Sequence, residues 1–149
     1  MTSLTPEAGP AWTAVRISAY WERARRGVEA GLELKVADGR LLWLLRDGRA
    51  RTLRQVADEL GLEQSTVNRQ VHAALESGVI RRFREEGHSA WLLEITGEGR
   101  RRFRTDLDRQ LKVHQRALDA VPPEHRETFL AHLSAYVEAF GEAADEIGP

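Results

Sequence analysis

The chain has 149 residues, 42% of them hydrophobic and 30% charged, with a formal net charge of −1 and no cysteine. This is enough apolar material for one domain with a core. It excludes disulfides, thiolate metal sites, cysteine nucleophiles and thiol redox sensing. No stretch reaches the roughly 18 apolar residues of a membrane helix. The opening MTSLTPEAGPAW lacks the basic and apolar regions of a signal peptide, so a soluble cytoplasmic protein with no membrane partner is expected.

In chain order, Pro10 suits a first helical position, and the helix it opens is expected to end near Gly31. LKVADGRLLWLLRDG reads as a second, mostly buried helix closed by Gly48. Thr52 offers a cap for LRQVADEL, whose Leu53, Val56, Ala57 and Leu60 recur at helical spacing. Gly61 ends that helix in the left-handed conformation. EQSTVNRQVHAALES follows, with Val67, Val71, Ala74 and Leu75 on one face and Gly78 as its stop. VIRRFRE and SAWLLEIT are rich in β-branched and aromatic residues and flank Gly87, which reads as a short hairpin. Thr96 is a candidate cap for a long helix over roughly 98–120, which the Pro122-Pro123 pair breaks. A last helix opens at Pro123 and Glu124, with Phe129, Leu130, Leu133, Tyr136, Val137 and Phe140 expected inward.

Two helices across a glycine turn, followed by a hairpin, make a winged helix-turn-helix. The fold class is mainly α with a small β-hairpin wing. In that arrangement the second helix enters a DNA major groove and the first buttresses it. The charge distribution agrees. Residues 46–84 hold eight arginines against five acidic residues, whereas residues 119–149 hold one arginine against seven. Phosphates would face the middle of the chain and not its end.

The segment EQSTVNRQV carries the side chains that pair with base edges: Gln64, Asn68, Arg69 and Gln70, with Ser65 and Thr66 beside them. On a helical wheel with Val71 at zero, Arg69 falls near about 160°, Thr66 near about −140°, Ser65 near about 120° and Ala73 near about −160°. These are expected to point outward. Gln70, near about −100°, flanks them, and Asn68, near about 60°, leans towards the buried edge. Ala73 is a candidate contact for a thymine methyl. Arg49, Arg51 and Arg54 are candidates for phosphate. Thr52 and Ser65 are caps first, at helix starts that also favour anions.

TLRQVADELGLEQSTVNRQVHAALESGVIRR, followed by LLEITGEGR, resembles the core of MarR-type transcriptional regulators, and the flanking helices match that layout over nearly the whole chain. The resemblance implies a single domain over residues 1–149. Residues 34–97 would form the DNA-binding lobe, and residues 10–31 and 98–145 the dimerisation helices. It further implies a homodimer that binds pseudo-palindromic double-stranded DNA, often as a repressor released by a small-molecule effector. The chain departs from the family at the wing tip. An Asp-Arg-Arg-like tip is usual there, and Gly87, His88 and Ser89 stand in its place. Arg82 and Arg84, lower on the hairpin, become the candidates for phosphate contact, with His88 and Ser89 as neutral hydrogen-bonding groups at the tip.

Trp12, Tyr20, Trp21 and Trp43 are candidates for lining an effector pocket, set against core or dimer contacts, which aromatic residues also supply. His125 and His132 are seven apart on one helix, roughly 10 Å along its axis and too far for one metal. No glycine-rich phosphate loop, GxSxG or carboxylate cluster marks an enzyme, and no metal or cofactor is expected. Two other classes remain beside the DNA-binding regulator: a winged helix that binds proteins, and a ligand-binding dimer without DNA affinity.

Overall fold

The computed structural model describes residues 9–148. The chain divides into two units, one ending at Arg109 and one starting at Gln110.

In the first unit Pro10 opens helix α1 (Pro10–Glu29), none of whose residues is buried. Helix α2 (Val36–Leu45) is its opposite, with Leu41, Leu42 and Leu45 almost fully excluded from solvent. Thr52 and Gln55 form a capping box at the start of helix α3 (Leu53–Leu60): the Thr52 Oγ1 accepts from the Gln55 N–H at 3.2 Å, and the Thr52 N–H donates to Gln55 Oε1 at 2.9 Å. Two of the helix's free donors are satisfied in this way. Gly61 ends α3 at φ 63°, ψ 33°, the left-handed cap expected there. Helix α4 (Gln64–Glu76) then runs back across it, burying Val67, Val71 and Ala74.

The sheet has three strands, not the two of a simple hairpin. Strands β2 (Ile80–Phe83) and β3 (Leu92–Ile95) pair antiparallel, Ile80 opposite Ile95 and Phe83 opposite Leu92. A two-residue strand β1 (Arg51–Thr52) pairs with the other edge of β3, giving the order β1-β3-β2. Two residues are too short to carry a strand periodicity, which is why the sequence shows only the hairpin. The core of the unit comes from α2, α3, α4 and the sheet, with Val56, Val79, Ile80, Leu93 and Ile95 closing it.

Two joints hold this unit together. The first lies where α4 ends, the wing begins and helix α5 (Gly97–Leu118) starts. Thr96 Oγ1 donates to the Gly78 carbonyl at 2.6 Å and accepts from the Gly99 N–H at 3.0 Å, while the Thr96 N–H donates to the Val79 carbonyl at 3.1 Å. Gly99 is buried, and a Cβ there would lie 2.0 Å from the Val79 oxygen. The second joint is Asp106, 2% exposed, whose two carboxylate oxygens accept from the Glu33 and Leu34 N–H groups at 2.8 and 2.9 Å. Arg109 adds a bond from Nη1 to the Gly31 carbonyl at 2.9 Å. The link between α1 and α2 is thus tied to α5.

In the second unit the end of α5 is closed by Arg126, whose Nε donates to the Leu118 and Val121 carbonyls, each at 3.0 Å. A cation at a helix C-terminus satisfies free carbonyls and suits the dipole. Pro123 opens a 3-10 turn (Pro123–His125) before helix α6 (Arg126–Ile147), where the sequence suggested one continuous helix. The apolar stripe of α6 is not inward. Phe129, Leu130, Tyr136, Val137 and Phe140 are all exposed, Phe140 at 61%, and only Leu133 is half-buried. The periodicity correctly marks one apolar face, but within one chain nothing covers it. Among the described residues no helix is long and apolar enough to cross a membrane.

Gly99→Ala is expected to destabilise the protein by roughly 3 kcal/mol, because a backbone carbonyl cannot yield as a side chain would. Asp106→Ala should cost a similar amount, roughly 3 kcal/mol, by leaving two buried N–H groups unpaired. Urea unfolding followed by circular dichroism measures both, and unchanged midpoints would count against these joints.

Candidate nucleic-acid interface

Helix α4 presents a polar face formed by Gln64, Ser65, Asn68, Arg69, His72, Ala73 and Glu76, all exposed. Among the described residues, the side chains of Gln64, Ser65, Thr66, Asn68, Arg69 and Gln70 make no hydrogen bond or ion pair. Their donors and acceptors are free for an external partner.

This corrects the helical wheel in two places. Asn68 does not lean into the core but is exposed, and Thr66 is half-buried instead of outward. The buried arc runs from Thr66 through Gln70, Ala74, Val67 and Val71 to Leu75, so its centre lies about 50° from Val71, towards Ala74. The wheel was centred on Val71, whereas packing against α3 and α2 pulls the true centre to the side of Ala74. Asn68 therefore stands with Arg69 on the open face. His72, one turn beyond Asn68 on that face, has no signal in the sequence beyond its spacing.

Ser65 is not a cap. The N-cap of α4 is Glu63, which makes no side-chain cap bond. Ser65 sits in the first turn with its hydroxyl free, and the helix start is left without a side-chain acceptor. Thr52 does cap, as expected, and is half-buried.

The arginines separate into committed and free. Arg51 binds Asp47 through Nη1 and Nη2 at 2.9 Å each and Glu59 through Nε at 3.0 Å. The Arg51 guanidinium, with help from the Arg49 backbone N–H, holds the Asp47 carboxyl well below the usual carboxylate range. Asp47 in turn raises the Arg51 pKa further above its ordinary value. Arg51 straps the loop after α2 to α3 and drops out as a phosphate candidate. Arg81 is likewise paired, with Glu94 across the sheet. Arg54, Arg69, Arg82 and Arg84 are exposed and, among the described residues, have no carboxylate partner. Arg49 engages Asp47 only through its backbone N–H.

On the wing, Arg82 and Arg84 both lie against Trp91, their guanidinium carbons 4.9 and 4.4 Å from the ring centroid. Gly87 turns the tip at φ 82°, and His88 and Ser89 are exposed beside it. His88 lies 3.9 Å from Glu85, an ion pair only when the imidazole is protonated.

The four aromatic candidates are spread over α1 and α2. Tyr20 is 71% exposed, Trp21 47% and Trp43 53%, with Trp12 half-buried. Trp43 instead meets Phe103, at 6.3 Å between ring centroids, and Arg46, at 4.0 Å. A cleft of about 290 Å³ lies elsewhere, along the start of α5, lined by Gly97, Arg100, Arg101, Arg104, Thr105 and Asp108. Arg101 there, with Arg102, holds the Glu98 carboxyl down to about 2.

Residues 37–81 match the winged helix-turn-helix DNA-binding family. No curated protein matches the chain in sequence. Solved structures match it in fold. A MarR family protein from Bacillus stearothermophilus is 16% identical with a TM-score of 0.74, over 87% of this chain and 91% of that one. The PcaV transcriptional regulator from Streptomyces coelicolor, in complex with its natural ligand, is 20% identical with a TM-score of 0.66, over 93% and 99%. A mutant MepR from S. aureus bound to an oligodeoxyribonucleotide is 15% identical with a TM-score of 0.63, over 90% and 99%. The chain therefore has the fold of MarR-family transcriptional regulators, with a winged helix-turn-helix of the DNA-binding type.

The division of the arginines gives a direct contrast. Arg69→Ala should lower affinity for a bound DNA site by roughly 1–3 kcal/mol with little change in melting temperature, as loss of a base contact would. Arg51→Ala should lower the melting temperature instead. Gel-shift titration and thermal unfolding of the two variants measure this, and unchanged DNA affinity in Arg69→Ala would remove Arg69 from the interface.

Proposed function

We propose that this chain is a MarR-type transcriptional regulator, a ligand-responsive homodimeric repressor that binds a pseudo-palindromic operator and acts in the cytoplasm. The observation that carries the reading is the open face of α4. Its amides, hydroxyl and arginine have no internal partner, and free arginines at 54, 82 and 84 lie in the same lobe. Residues 34–97 would be the DNA-binding lobe. Gln64, Ser65, Asn68 and Arg69 would read base edges, with Gln70 and Thr66 at the margin. Arg54, Arg82, Arg84, Thr52, His88 and Ser89 would meet phosphates, and those contacts would make binding fall steeply with salt.

The helices at 10–31 and 98–145 would form the dimer. Support comes from their unburied faces: α1 exposes Val15, Ile17, Tyr20 and Trp21, and α6 exposes the stripe from Phe129 to Phe140. Helices this apolar need cover, and a second copy provides it. Two recognition helices held about 34 Å apart would read half-sites one DNA turn apart. The ligand-bound PcaV structure supports an effector. Such a molecule would act by favouring a spacing of the two lobes that does not fit DNA.

Genome-wide mapping of bound DNA should return an inverted repeat, and sedimentation should give a dimer. Val137→Glu on α6 should shift the protein towards monomer and weaken operator binding at least tenfold while the lobe stays folded. A protein that binds partners or small molecules but gives no salt-sensitive DNA binding would overturn the proposal.

A further inference from the structure

The wing lacks an arginine at its tip, yet it carries an exposed tryptophan with two arginines on it. The hairpin register explains how. Ile80 faces Ile95 and Arg82 faces Leu93, and side chains alternate along each strand. One face of the hairpin therefore carries Ile80, Arg82 and Arg84 on one strand, with Ile95, Leu93 and Trp91 on the other. Ile80, Leu93 and Ile95 are buried, but the same face continues outward past the edge of the core. There Trp91, 44% exposed, lies 4.9 Å from the Arg82 guanidinium carbon and 4.4 Å from that of Arg84.

Two like charges do not gather on one ring without reason. Each guanidinium is attracted to the ring's negative face, and that attraction offsets their mutual repulsion. Arg81, between them on the opposite face, is paired with Glu94. Among the described residues Arg82 and Arg84 have no carboxylate partner, so their charge is not cancelled locally. A planar guanidinium held against an aromatic ring keeps its N–H edge available and loses less freedom when it binds an oxyanion.

We propose that Trp91 is a positioning residue. It holds Arg82 and Arg84 side by side as a preformed clamp for the phosphodiester backbone of duplex DNA, so that the wing grips phosphate from its flank without a tip arginine. This rests on the DNA-binding function proposed above.

The test uses the full-length dimer and a mixed-sequence 30-base-pair duplex, with affinity measured across a salt series. Arg82→Ala and Arg84→Ala should each reduce the slope of log affinity against log salt by about 0.9, one phosphate contact apiece. Trp91→Leu removes no charge, yet should weaken binding about five- to tenfold and reduce the slope in the same direction. Trp91→Tyr, which keeps a π-face, should recover most of the affinity, and melting temperatures should stay near the parent value because Trp91 lies outside the core.

If Trp91→Leu binds like the parent while the arginine variants are weak, the wing touches DNA but Trp91 does not position it, and the inference fails. Loss in Trp91→Leu with no rescue by Trp91→Tyr also overturns it. If all three wing positions are silent while Arg69→Ala is weak, the wing clamp falls and the DNA-binding function stands. If the parent protein shows no salt-dependent binding, both fall together.

Discussion

The close approach of Gly99 to Val79 is the constraint on which the lobe depends. At this point the recognition helix has just ended, the wing is starting and α5 is setting out. Thr96 binds all three segments, with one hydroxyl that donates to Gly78 and accepts from Gly99. A side chain at position 99 would collide with the Val79 carbonyl. The angle between α4 and the wing is therefore fixed by backbone contact, which is stiffer than side-chain packing. Any reading of DNA by α4 and the wing together relies on that angle.

Charge is organised on the same principle. The lobe is rich in arginine, but its arginines do two different jobs. Arg51 and Arg81 are spent inside the structure, on Asp47 with Glu59 and on Glu94. The arginines left open are on the outer face of α4, on α3 and on one face of the wing. Exposed ion pairs contribute little to stability, so the main consequence of the pairing is selective. It decides which positive charges a polyanion can meet.

Much of this was legible beforehand because it is local. Thr52 as a cap, Gly61 and Gly78 as stops, the periodicity of α3 and α4, and the position of the hairpin all follow from spacing and from residue chemistry within a few positions. The errors fell where distant segments decide. The two-residue strand β1 exists only because β3 offers it an edge. Asn68 and Thr66 exchanged places because α2 and α3 set the centre of the buried arc. Asp106 looks like one more acidic residue on a charged helix, and its two bonds reach 72 and 73 residues back along the chain.

The sequence by itself determined the order of the elements, the winged helix-turn-helix pattern, and the identity of the polar and apolar faces, because each is encoded in short-range periodicity and turn chemistry. The tertiary structure decided which arginines are free, which residues of α4 stand open, and that the wing gathers Arg82, Arg84 and Trp91 at one place. Those outcomes depend on which segments meet, and strand register and helix packing join residues that spacing along the chain leaves apart.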